Sequence, residues 1–168
     1  MIKYITKDIN LIDVISIERY NQIKEDLRNL RVMNSKGDLS DKETKETYDK
    51  LIEEVKKCEI SFDREDEFIE FSKIKVKPEK WDAVIKHELE HAEVFKEKNV
   101  PIKYGFHKFK DNFGHFCYGP YIKHYFSKTN YSEEDILKIE IESLKRASKL
   151  SDQDKLDLEI KEKLLQKL

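Results

Sequence analysis

The sequence predicts an α+β fold, mostly helical, with a small antiparallel or mixed sheet beside one central helix. Three observations predict it. Apolar residues recur at three- and four-residue steps near both ends of the chain, which is the periodicity of amphipathic helices. Two short aromatic runs in the middle flank a turn-forming Asp-Asn-Phe-Gly segment. Four glycines and three prolines in 168 residues leave little loop in a chain rich in Lys, Glu, Leu and Ile. That length suits one globular domain, expected as a helical hairpin over 1–60, a sheet with a long helix over 66–128, and C-terminal helices over 131–168.

The first helix covers 11–33, where Val14, Ile17, Tyr20, Ile23, Leu27 and Leu30 share a face, and Gly37 helps to stop it. Ser40 and Glu43 have capping-box spacing, so a second helix begins there and turns Tyr48, Leu51, Ile52 and Val55 inward. Residues 67–76 are rich in β-branched and aromatic side chains, but their alternation slips near Ser72, which predicts a strand with a bulge or a bend. Pro78 suits the first position of a third helix that runs to about residue 98 and is closed by Asn99 and Pro101. Strands over 102–109 and 115–122 then form a hairpin. Ser132 with Asp135, and Ser151 with Asp154, place a hydroxyl at a cap and a carboxylate in the first turn of two final helices.

The 33 basic and 35 acidic residues nearly cancel, so the net charge of -2 supplies no overall attraction to nucleic acid or to an anionic membrane. No run approaches the roughly eighteen apolar residues of a membrane span, and the first ten residues lack a signal-peptide core. A cytoplasmic protein without a membrane partner is expected, with Cys58 and Cys117 as reduced thiols. Charge is unevenly spread, however. All five histidines fall between His87 and His124, and three of the four glycines lie between Gly105 and Gly119.

His87-Glu88-Leu89-Glu90-His91 is an H-E-x-x-H sequence inside the third helix. Histidines four apart lie on adjacent turns of one face, so both imidazoles can reach one zinc ion, and the glutamate after the first can act as general base toward a water. On a helical wheel, Trp81, Val84, Ile85, Leu89, Ala92 and Phe95 form an apolar stripe with Glu88 near its middle. A carboxylate in such a stripe is costly unless it faces a polar cleft. Lys86, Glu90, Glu93 and Glu97 fall on the solvated side. The competing reading is a helix whose histidines and Glu88 satisfy one another by hydrogen bonds. A di-iron reading through Glu88 and His91 needs a second E-x-x-H, and the chain has none.

A catalytic zinc takes three protein ligands and keeps an open position. The metzincin continuation is absent after His91, so the third ligand must come from elsewhere: His115, with His107 as the alternative, or His124, Glu140 or Glu142. The run from His87 to Ala92, preceded by Ile69-Glu70-Phe71-Ser72, resembles the gluzincin-like and SprT-like zincin metallopeptidases. Gly114-His115 followed by Gly119-Pro120-Tyr121 is similar to the SprT-like downstream segment, although Phe116 stands where that group has glycine. The resemblance implies a zinc-dependent peptidase in which Glu88 activates water and His87, His91 and His115 hold the metal. The oxyanion that develops during hydrolysis needs a donor, for which Tyr121 is a candidate beside Tyr104, Tyr118 and His124.

Between Pro101 and Lys128 stand nine aromatics and five lysines against one acid, Asp111. Such interleaving can stack bases and neutralise phosphates, or pack aromatics inward with lysines in water. The expected function is therefore a small zinc metallopeptidase acting on protein or peptide. The alternatives are a non-catalytic binding or adaptor protein with structural histidines, and a single-stranded nucleic-acid binder using 101–128.

Overall fold

The computed structural model describes residues 14–35, 40–147 and 149–168. In order, its elements are β1 (Ile15–Ser16), α1 (Ile17–Ser35), α2 (Asp41–Lys56), β2 (Glu59–Phe62), α3 (Glu65–Lys75) and α4 (Pro78–Trp81). A π-helical segment (Asp82–Lys86) leads into α5 (His87–Glu97), followed by β3 (Ile102–Lys110), β4 (Phe116–His124), a 3-10 turn (Phe126–Lys128), α6 (Glu133–Arg146) and α7 (Asp152–Gln166). The α+β class is as predicted: helices dominate, and the four strands form one mixed sheet in which β3 pairs with β1, β2 and β4. The β1 pairing is parallel, with Ile15 opposite Phe109 and Ser16 opposite Lys110. Among the described residues no helix is long and apolar enough to cross a membrane.

The chain divides into two compact units, and the strands β2, β3 and β4 contribute to both. One unit holds the described residues from 14 to 61 together with 106–119. Its core joins Ile23 of α1 to Val55 and Cys58 at the end of α2, with Ile15, Leu27 and Leu51 packed around them. Ser40 makes the expected capping box with Glu43. Tyr48 departs from expectation and is exposed, because the inward face of α2 reduces to Leu51, Ile52 and Val55. The first helix begins at Ile17 rather than running from 11, with Ile15–Ser16 in a strand and Val14 exposed; the Leu11 start and the Gly37 stop lie outside the described residues. Both cysteines are free thiols, Cys58 buried and Cys117 partly so.

The other unit holds 62–105 and 120–168. Here the sequence reading needs two corrections. Residues 67–76 do not form a strand; α3 covers them, with Glu67, Phe68, Phe71 and Ser72 as its buried positions. Those positions follow the helical step of three and four, which is why strand alternation slips at Ser72. Acidic Glu65, Asp66 and Glu67 in the first turn, and Lys73 and Lys75 in the last, match the helix dipole. The strand lies earlier, at Glu59–Phe62, where Ile60 and Phe62 alternate into the interior, so 1–60 is not wholly helical.

Three contacts set the helix that carries the histidines. Ser72, fully buried, donates to the Ile69 carbonyl at 2.6 Å and accepts from the Trp81 indole at 2.9 Å, pinning α4 to α3. Glu65 receives Lys96 at 2.5 Å and the Tyr104 hydroxyl at 3.2 Å. Val94 and Phe95 pack with Val100 and with Ile139 of α6. The helix ends at Asn99, whose φ of 56° is the left-handed conformation Asn tolerates better than most residues.

Candidate metal centre

The metal-competent group is built from two helices and oriented by a third. Nε2 of His87 and Nε2 of His91 lie 3.0 Å apart on successive turns of α5. Asp154, in the first turn of α7, brings Oδ2 to 2.9 Å from His87 Nε2 and 3.5 Å from His91 Nε2. Among the described residues these three form the one set of His, Cys, Asp and Glu ligand atoms close enough together to hold an ion, all within 4.8 Å of one another. Around tetrahedral zinc, donors at bond lengths of about 2.0–2.2 Å sit roughly 3.3–3.5 Å from each other. The observed 2.9, 3.0 and 3.5 Å therefore need only a few tenths of an ångström of spreading. Two imidazoles and one carboxylate, leaving a position open, is a donor set that catalytic zinc uses.

His91 is locked by α6. Its Nδ1 lies 3.0 Å from the Ser143 carbonyl, which can only accept, so the proton sits on Nδ1 and the Nε2 lone pair faces the cluster. Ser143 returns the contact, its hydroxyl donating to the His91 carbonyl at 2.8 Å, and this serine is buried. Asp154 is held from its own helix. Ser151 caps α7, accepting from the Asp154 N–H at 3.1 Å while its own N–H points to Oδ2 at 3.3 Å.

The electrostatics favour a charged site. Burial pushes the Asp154 carboxyl up, but hydrogen bonding and charge from His91, then His87 and the Ser151 amide, hold it well below the usual carboxylate range. Burial likewise lowers His91, and is outweighed by Asp154, the Ser143 carbonyl and the charge of Glu88, so that its affinity for a proton is raised. Metal ligation uses the deprotonated form of each donor, so an ion at this group would compete with protons for it.

Glu88 is half-buried and close enough for its charge to act on His91. The π-helical turn immediately before His87 carries an extra residue, which rotates Trp81 and Val84 relative to the histidines. Within α5 itself the single apolar stripe drawn from an ideal wheel is also too narrow: Val94 is fully buried and Glu90 is partly buried. A cleft of about 280 Å³ opens beside His87, lined also by Asp82, Ala83, Lys149, Leu150 and Ser151.

The other candidates have different settings. His115 sits in the hairpin turn, largely exposed, 3.3 Å from the Asp111 carboxylate. His107, on β3, meets the Tyr20 hydroxyl at 3.1 Å and Glu59 at 3.6 Å. Neither belongs to the metal-competent group, whose third member is Asp154. His124 stacks on Phe95 and approaches Glu140 at 3.7 Å, and Glu142 pairs with Arg146 at 2.6 Å. Tyr121 lies half-buried on β4 with the Lys123 ammonium 5.3 Å from its ring centre.

Sequence reasoning did not bring Asp154 into this group because its capping role explained it already; a carboxylate at the third position of a helix faces back toward the preceding chain and can serve both. No protein-family model matches this chain, and neither a curated protein nor a solved structure matches it significantly.

Proposed function

We propose that the chain is a zinc-dependent hydrolase of peptide bonds, with His87, His91 and Asp154 as ligands and Glu88 as general base. The observation that supports it most is the convergence of three ligand atoms within 4.8 Å, one of them fixed in its metal-binding tautomer by Ser143. When bound, zinc lowers the pKa of water and polarises a carbonyl. Glu88 accepts a proton from the attacking water and delivers it to the departing amine as the C–N bond breaks. The cleft beside His87 receives the substrate.

Metal content and turnover test this together. The purified protein should bind one equivalent of zinc and cleave an unstructured peptide. Glu88→Gln should keep the zinc and lose about 10²–10⁴-fold in rate, the range of a general base. His87→Ala should lose the zinc. A protein that takes up no zinc, with a metal content and stability that His87→Ala leaves unchanged, would refute the reading.

A second reading draws on the hairpin. Most aromatics of 101–128 are at least partly buried, Tyr104 and Phe106 fully so, but Phe113 is 86% exposed and Phe116 56%, with the Lys108 ammonium 4.4 Å from the Phe116 ring centre. Lys108 itself is buried, so what supports this reading is the pair of exposed rings, which suit stacking on single-stranded bases. Binding of a dT15 oligonucleotide should weaken with salt and fall at least fivefold in Phe113→Ala; salt-independent binding would count against it.

A further inference from the structure

We propose that the cleft beside His87 takes short peptides by both free ends, Asp82 receiving the α-ammonium and Lys149 the α-carboxylate. This substrate class rests on the metallopeptidase reading above. Two features of the cleft carry it. The first is size: at about 280 Å³ it lies at the lower edge of small-molecule sites, which run from about 300 to 1,000 Å³, and so suits a few residues rather than an extended chain.

The second is charge. Asp82 comes from the π-helical segment and Lys149 from the connection between α6 and α7, so one cleft presents an anion and a cation from separate elements. Both are exposed, and neither makes an ion pair or side-chain hydrogen bond among the described residues. A peptide with free ends is the complementary zwitterion at neutral pH, its carboxyl ionising near 3.5 and its amine near 8, as in model peptides. Ala83 and Leu150 supply apolar wall for a side chain between the charges. His87 lines the cleft and belongs to the metal-competent group, so a peptide held there lies against one of the proposed ligands. Hydrolysis adds water across the C–N bond, leaving a new carboxylate on one fragment and a protonated amine on the other.

The test compares Ala-Leu-Ala with its N-acetylated and C-amidated forms and with a ten-residue peptide containing the same sequence, all on zinc-loaded full-length protein. The free tripeptide should be cleaved with at least tenfold higher kcat/KM than either blocked form, the difference lying mainly in KM. In Lys149→Gln the ratio of free to amidated peptide should fall toward one, and in Asp82→Asn the ratio of free to acetylated peptide should do the same. Calorimetric titration of the zinc-loaded Glu88→Gln protein should show the same order of affinities without turnover. If the decapeptide and the blocked tripeptides are cleaved as well as the free one, or if both ratios survive both substitutions, end recognition is overturned while the metallopeptidase reading stands. If the zinc-loaded protein cleaves none of them and Glu88→Gln binds none, both fail.

Discussion

Replacing Asp154 by Asn separates the metal from the rest of the fold, and its consequences can be worked out from the contacts. The isosteric amide can still accept from the Ser151 N–H, so the α7 cap is largely kept. What is lost is the negative charge facing His87 and His91 at 2.9 and 3.5 Å. Hydrogen bonds to charged groups are worth about 1.5–3 kcal/mol, and relief of the burial cost of the carboxylate offsets part of that. The metal-free variant should therefore be less stable than the wild type by about 1–2 kcal/mol.

Zinc should widen the gap. An ion present at a hundredfold excess over its Kd stabilises the folded state by about 2.7 kcal/mol. For a chain of this size each kcal/mol is worth about 2–4 °C, so the wild type should gain roughly 5–11 °C in Tm. Asn supplies no anionic donor, and the variant should gain less than about 2 °C at the same zinc concentration. Thermal unfolding followed by circular dichroism, with zinc and with chelator, measures all four states. Hydrogen exchange locates the effect: α7 has no fully buried residue, so zinc should protect its first turns in the wild type and leave them unprotected in the variant. Equal zinc stabilisation of both proteins would show that Asp154 is not a ligand.

Two further substitutions test the supports of the site. Ser72→Ala leaves the Trp81 indole N–H without its acceptor between α3 and α4 and should cost about 1–3 kcal/mol by urea unfolding; a change below about 0.5 kcal/mol would mean that this bond does not hold the helix. Burial raises the Glu140 carboxyl, but the neighbouring His124 ring and the Lys161 ammonium outweigh it and hold the group below its ordinary 4.5. A depressed folded pKa contributes stability that is present above 4.5 and lost as pH falls through the folded value. Glu140→Gln should thus be destabilising at pH 7, with the difference from wild type shrinking below pH 4.5; a gap that does not change with pH would refute the assignment.

What could be read from sequence was local. The H-E-x-x-H spacing, the Ser40 and Ser151 capping boxes and the turn at Asp111 to Gly114 each rest on residues within five positions of one another. Asp111 Oδ1 accepts from the Phe113 and His115 amides, and Gly114 takes the φ of 83° that the turn requires. Residues 67–76 misled because Phe, Ile and Val carry strand propensity, whereas burial follows packing: Phe68 and Phe71 lie one turn apart and reach Tyr104 and Phe62 respectively. The π-helical turn has no sequence signature of its own, so an ideal wheel cannot anticipate it.

Asp154 shows where such reading stops. Asp154 lies 63 positions beyond His91 in sequence, and no spacing rule connects them. It is brought there because α6 packs along α5, with Ser143 bonded to His91 at both its hydroxyl and its carbonyl, and because α7 turns back on α6 through Lys161 to Glu140 at 2.5 Å and Lys145 to Glu162 at 3.1 Å. The same carboxylate oxygen that completes the α7 capping box then faces two imidazoles. A capping residue placed in this way would couple the start of α7 to an ion at the proposed site, since Ser151, which caps α7 through Asp154, also lines the cleft. On the proposed reading, zinc binding and assembly of the cleft would be one event, so chelation should open the cleft as well as stop turnover.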